Sequence, residues 1–150
     1  MLNEELIYLD MPFSTKKELF TEMNKKFLEL GYVNEDYLMA LEKREKEFPT
    51  GIKTKVIGLA IPHIDSKYIK KAEIAVVRLK KSILFQEMCT NSDVDVQLVF
   101  MLLVKDKAKQ VTTLSALMSC FANESALKQL MTASKAEIIK KLEKILEESK

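Results

Sequence analysis

Glycine and proline are scarce in this chain, three of each in 150 residues. Punctuation that sparse, with 47% hydrophobic and 31% charged residues, excludes collagen-like and low-complexity classes and leaves an ordered chain. Cysteine is nearly absent: Cys89 and Cys120 stand far apart and form no C-x-x-C pair, so neither a disulfide framework nor a zinc site is indicated. Long hydrophobic runs are missing as well. The longest uninterrupted apolar stretch, Leu98 to Val104, is far short of the roughly 20 residues that cross a bilayer as a helix. The polar start Met1 to Glu5 lacks the charged and apolar regions of a secretory signal, so the expected location is the cytoplasm. No sign of charge dominates: 24 Lys and Arg against 22 Asp and Glu give a net +2, which supplies no broad electrostatic reason to bind nucleic acid or an anionic membrane. No linker, repeat or biased tract divides the sequence, so residues 1–150 are expected to form a single domain.

What is present is a clear order of elements. Leu6-Ile7-Tyr8-Leu9 reads as a short strand ended by Asp10 and Pro12. Thr15-Lys16-Lys17-Glu18 has the spacing of a capping box, and Leu19, Phe20, Met23, Phe27 and Leu30 recur at helical intervals until Gly31. A second helix is predicted from Asn34 to the break at Pro49, with Tyr37, Leu38, Leu41 and Phe48 on its buried side. From Ile52 to Val104 the chain has β character, with strands over Val56 to Ile61, Ile74 to Leu79, Ile83 to Phe85 and Val94 to Val104. Leu98 to Val104 is apolar at odd and even positions, which requires cover on both faces.

The last third is helical. Ala108, Val111, Leu114, Leu117, Met118 and Phe121 fall on one side of a helix capped by Asp106, and a short helix follows from Asn123 to Met131. Ser134-Lys135-Ala136-Glu137 is a second capping box, opening a helix with Ile138, Ile139, Leu142, Ile145 and Leu146 at amphipathic spacing. Helices before and after a block of strands predict an α/β (α+β-like) fold, a mixed β-sheet flanked by helices on both faces. The sheet must be mixed because the short joints between the middle strands cannot all be crossovers.

Two residues break the local pattern. Arg44 falls on the same stripe as Tyr37, Leu41 and Phe48, which suits either a stem that packs while its head reaches water or a guanidinium that meets an anion. His63, the one histidine of the chain, follows the strand run Gly58-Leu59-Ala60-Ile61 and Pro62. Proline lacks a ladder donor and biases Ile61 toward extended geometry, so the strand ends and presents His63 from a stiffened loop. A lone histidine is compatible with a structural role. It also suits nucleophilic work, because near neutral pH one ring nitrogen attacks while the other donates a positioning bond.

The run Arg44-Glu45-Lys46-Glu47-Phe48-Pro49-Thr50-Gly51-Ile52, followed by Ile57-Gly58-Leu59-Ala60-Ile61-Pro62-His63, resembles the fructose and mannitol superfamily of enzyme IIA domains of the bacterial phosphotransferase system, most closely the galactitol-type branch. The acidic approach Asp93-Val94-Asp95-Val96 to the long apolar strand is similar to that branch too. The resemblance implies a mannitol/fructose-type IIA fold and a phosphotransferase component with a phosphohistidine intermediate. His63 would accept a phosphoryl group from HPr and give it to a cysteine of the cognate enzyme IIB, which works with a IIC membrane permease in sugar or sugar-alcohol uptake. Arg44 would steady the phosphate oxygens. Thr50 and Gly51 suit either backbone donors to phosphate or a plain turn. Gln110 stands where many members carry a second histidine; it suits either a phosphate donor or a solvated first turn. No cofactor or metal is called for. The alternative from another class is a regulatory module whose phosphorylation state controls a binding partner. Asp65 and Ser66 are read as capping a short turn, Asp93 and Asp95 as a solvated strand entrance, and Lys67, Lys70 and Lys71 as a solvated face.

Overall fold

Thr15 opens the first helix as its spacing predicts. Its Oγ1 accepts the Glu18 N–H at 3.1 Å, while the Glu18 carboxylate accepts the Ser14 N–H at 2.8 Å, so an orphan donor of the first turn and the N–H just ahead of the cap are both satisfied. At the other end Gly31, with φ +77°, reverses the chain. Its N–H reaches Leu28 O at 3.1 Å and the Tyr32 N–H reaches Phe27 O at 2.8 Å, the paired closure that a left-handed glycine makes possible.

The computed structural model describes residues 2–148. Along them run β1 (Ile7–Met11), α1 (Lys16–Glu29), α2 (Tyr37–Glu47), β2 (Gly51–Lys53), β3 (Gly58–Ala60), β4 (Glu73–Gln86), β5 (Asp93–Leu103), α3 (Lys107–Phe121), α4 (Glu124–Thr132) and α5 (Lys135–Glu148). The sheet order is β1-β4-β5-β3-β2. β1 runs parallel to β4 and β3 parallel to β5, whereas β4 with β5 and β2 with β3 are antiparallel. The sheet is therefore mixed, as the short joints require.

Alternation along β4 and β5 divides the core in two. Ala75, Val77, Val99 and Met101 face α1 and α2, where Phe20, Met23, Phe27 and Tyr37 pack. Ile74, Val76, Leu98, Phe100 and Leu102 face α3 to α5, where Leu117, Phe121, Leu127, Ile138 and Leu142 pack. Leu98 to Leu103 are each fully shielded, and burying side chains of this size stabilises by about 1.5–3 kcal/mol each.

Four expectations are corrected. The second helix starts at Tyr37 rather than Asn34, because the Asn34 side chain and carbonyl accept the N–H groups of Asp36 and Tyr37 in a turn ahead of it. The segments Ile74 to Leu79 and Ile83 to Phe85 are one strand of 14 residues, whose pairing register shifts between Arg78 and Ile83. The strand read over Val56 to Ile61 is confined to Gly58–Ala60, because the Thr54 hydroxyl holds Val56 and Ile57 in a preceding turn. Val111 is 66% exposed and Met118 is 40% exposed, because α3 turns Ala116, Leu117, Cys120 and Phe121 inward instead.

Candidate active site

β3 and β5 run parallel, and their carboxyl ends supply the floor of the site. After Ala60 the chain leaves the ladder at Pro62, which has no N–H to contribute. The Pro62 carbonyl accepts the Leu102 N–H at 3.1 Å, and His63 bridges Leu102 in parallel register. The histidine backbone is thus tied to the central strand.

The imidazole is fixed separately. Its Nδ1 lies 2.7 Å from the Ile61 carbonyl oxygen, and since a carbonyl only accepts, the proton is assigned to Nδ1 and the lone pair to Nε2. The ring is half-buried, and Nε2 has no hydrogen-bond partner among the described residues. Burial is the main cause holding the His63 pKa below its ordinary 6.5; the Ile61 carbonyl opposes it, and the Arg44 charge lowers it further. A neutral, nucleophilic ring follows at neutral pH.

Arg44 lies in the last turn of α2, and its position corrects the expectation of a buried stripe. The buried face of α2 is Tyr37, Leu41 and Glu45, and Phe48, expected on it, is 55% exposed. Arg44 is exposed beside that face, with its guanidinium carbon 4.2 Å from the Phe48 ring centroid. It opens onto a cleft of about 430 Å3 that His63 and Gln110 also line. Gln110 lies in the first turns of α3 and donates from Nε2 to the Ile64 carbonyl at 3.2 Å.

The cleft favours an anion. Lys43, Arg44, Lys67 and Lys107 line it against Glu47, Asp65 and Asp106. Two of those carboxylates are already engaged with backbone donors. Asp106 accepts the Ala108 N–H at 2.8 Å, and Asp65 accepts the Lys67 N–H at 3.2 Å as cap of the short turn Ser66–Tyr68. The amino end of α3 adds its partial positive charge. Among the described residues no group of three or more His, Cys, Asp or Glu is placed to hold a metal ion, and no helix is long and apolar enough to cross a membrane.

The structure therefore brings Arg44, His63 and Gln110 together, and leaves Thr50 and Gly51 outside the cleft lining. Thr50 is buried, and both its donors go to Glu45: N–H to Oε2 at 2.8 Å and Oγ1 to Oε1 at 2.7 Å. Gly51 pairs with Ala60, and a Cβ there would come within 2.4 Å of the Gln86 carbonyl oxygen. That close approach is what requires the glycine. Sequence reasoning missed Glu45, the Ile61 carbonyl and the Arg44–Phe48 stack. The four-residue spacing of Tyr37, Leu41 and Glu45 was the available signal for the first.

Residues 1–145 match the family described as the phosphoenolpyruvate-dependent sugar phosphotransferase system, EIIA 2, and the chain belongs to it. It is 29% identical over 126 residues to the galactitol-specific EIIA component of the PTS system of Escherichia coli, covering 84% of each chain. Among solved structures it is similar to the nitrogen regulatory protein IIA-Ntr from Neisseria meningitidis, with a TM-score of 0.78 and 30% identity over 94% of this chain and 95% of that one. The Escherichia coli complex of enzyme IIA-mannitol with phosphorylated enzyme IIB-mannitol has a TM-score of 0.75 at 22% identity over 95% of this chain and 99% of that one. That likeness shows the shared fold.

Proposed function

We propose that His63 is the phosphoryl acceptor of this EIIA component, taking the group from phospho-HPr and passing it to a cysteine of an enzyme IIB that serves a IIC permease, with the whole exchange on the cytoplasmic side. One observation carries the reading: a half-buried, neutral imidazole whose Nε2 has no hydrogen-bond partner among the described residues lines a cationic cleft together with Arg44.

The steps follow from that geometry. Nε2 attacks phosphorus while the donor's P–N bond breaks. The ring then carries both the phosphoryl group and the Nδ1 proton, and the Ile61 carbonyl accepts from the nitrogen on which positive charge develops. Arg44 meets the phosphate oxygens, and stabilisation of that kind accounts for most catalysis of phosphoryl transfer. A thiolate of the next protein forms the P–S bond as the P–Nε2 bond breaks, and the neutral ring returns. Met39, 78% exposed, and Val111, 66% exposed, are sequence neighbours of the cleft-lining Ala40 and Gln110, and they are the exposed apolar side chains this reading assigns to contact with visiting proteins. Gln110 holds the Ile64 carbonyl, and its amide is the neutral counterpart of a second histidine.

The test is a relay of purified Enzyme I, HPr and labelled phosphoenolpyruvate. Wild type takes an acid-labile label, His63→Ala takes none, and Arg44→Ala takes it more slowly by about two orders of magnitude. Label retained by His63→Ala overturns the proposal. The similarity to IIA-Ntr favours one second reading, a regulatory module whose partner responds to phospho-His63. Label that reaches His63 and never moves to a IIB cysteine decides for it.

A further inference from the structure

Arg44 and Glu45 are consecutive residues of α2 that face different sides: Arg44 is exposed on the site cleft, and Glu45 is only 2% exposed, on the side of the helix where Lys16 and Phe20 lie. A carboxylate so buried is costly unless satisfied, and burial raises its pKa while the bonds from Thr50 pull it down. Thr50 supplies two of those bonds, from Oγ1 at 2.7 Å and from its N–H at 2.8 Å. The series continues toward the site. The Thr50 carbonyl accepts the Ile61 N–H at 3.2 Å, and the Ile61 carbonyl receives Nδ1–H of His63 at 2.7 Å. Four residues thus join the helix bearing the cation to the ring bearing the nucleophile without passing through the cleft.

We infer that the Glu45–Thr50 pair is a positioning lock for the site, which fixes the Nδ1–H tautomer of His63 and its spacing from Arg44. The inference rests on the phosphoacceptor reading for its consequence in transfer, but its effect on the ring is independent of it. The Thr50–Ile61 bond continues the β2–β3 ladder one step past the Gly51–Ala60 pair, so the aim of the Ile61 carbonyl depends on where Thr50 sits. Glu45 places Thr50 relative to α2 and hence to Arg44. Neither Glu45 nor Thr50 lines the site cleft; both act through other groups.

The experiment compares Thr50→Val, which keeps the side-chain shape and removes the hydroxyl donor, with Thr50→Ser, which restores it. Three readouts are taken: the His63 ring nitrogen resonances of the unphosphorylated protein, the rate of phosphoryl acceptance from phospho-HPr, and the melting temperature. Thr50→Val shifts the ring from a single Nδ1–H form to a mixture of tautomers and slows acceptance about ten-fold, the scale of effect that a small misplacement of reacting groups produces. Thr50→Ser recovers both. Should Thr50→Val not hold its fold, Thr50→Ala, which places no methyl pair against the carboxylate, is judged on the same readouts. A lowered melting temperature with unchanged ring resonances and unchanged acceptance makes the pair a stability element only and overturns the inference. Absence of label on wild-type His63 would instead sink the phosphoacceptor reading, and the ring resonances would still decide the lock.

Discussion

The Arg44 guanidinium carbon lies 4.2 Å from the centroid of the Phe48 ring. An arginine at a helix end on the surface would otherwise sample many rotamers; stacking on an aromatic ring narrows them and leaves its N–H groups for an anion. Phe48→Ala is expected to slow phosphoryl acceptance roughly two- to five-fold, the equivalent of a cation–π contact of about 0.5–1 kcal/mol. Phe48 is already 55% exposed, so the melting temperature should barely move. Relay kinetics beside a thermal melt check both, and an unchanged rate removes the stack from the site.

The pH response of His63 has a definite sign. Burial first, and Arg44 in addition, hold its folded pKa below 6.5. The unfolded chain therefore binds the extra proton first as pH falls. The contribution of His63 to stability is fully present above about pH 6.5 and is lost as pH falls through the folded pKa. Wild type should lose stability relative to His63→Gln across that window in denaturant titrations. Ring-proton NMR should show Arg44→Ala raising the pKa by only part of the depression, since burial remains.

Gln110 lines the cleft and its amide donates to Ile64. Gln110→Glu keeps the shape and adds a like charge for the incoming phosphoryl group, so acceptance should fall about ten-fold or more. Gln110→Ala, which adds no charge, should cost much less. Equal rates for the two variants would show that the group does not pass near this side chain.

Gly51 is fixed by contact with backbone. A Cβ there meets the Gln86 carbonyl oxygen at 2.4 Å and the Gln86 carbonyl carbon at 3.0 Å, atoms that cannot swing aside as a side chain does. Gly51→Ala should destabilise by about 1–3 kcal/mol, the usual cost of forcing atoms into a filled space. Chemical denaturation measures it, and a neutral result would mean that β2 slides easily.

Local signals were legible where local physics decides. Thr15 and Glu18 capped a helix as their spacing said, Gly31 ended it, and the two-sided apolarity of Leu98 to Leu103 placed β5 between helix layers. Arg44, Gln110 and His63 were singled out and share one cleft. Periodicity failed where a distant partner overrules it. Glu45 takes an inward position because Thr50 satisfies it across a turn, and Arg44 is thereby rotated outward with Phe48. Thr50, which suited either a phosphate donor or a plain turn, gives both its donors to Glu45 and lies outside the cleft lining. The Ile61 carbonyl carries no sequence signal at all, since every residue has one. Val111 and Met118 were assigned inward because they fit the helical period, but α3 has only one side packed against the sheet and they miss it.

β2 is an edge of only three residues, and β1, the opposite edge, is bent by a left-handed Asp10 at φ 55°. Margins this short and crooked give a foreign strand nothing to zip onto. The sheet is thereby guarded against recruitment into larger arrays, and crowding should not draw copies of the chain together edge to edge.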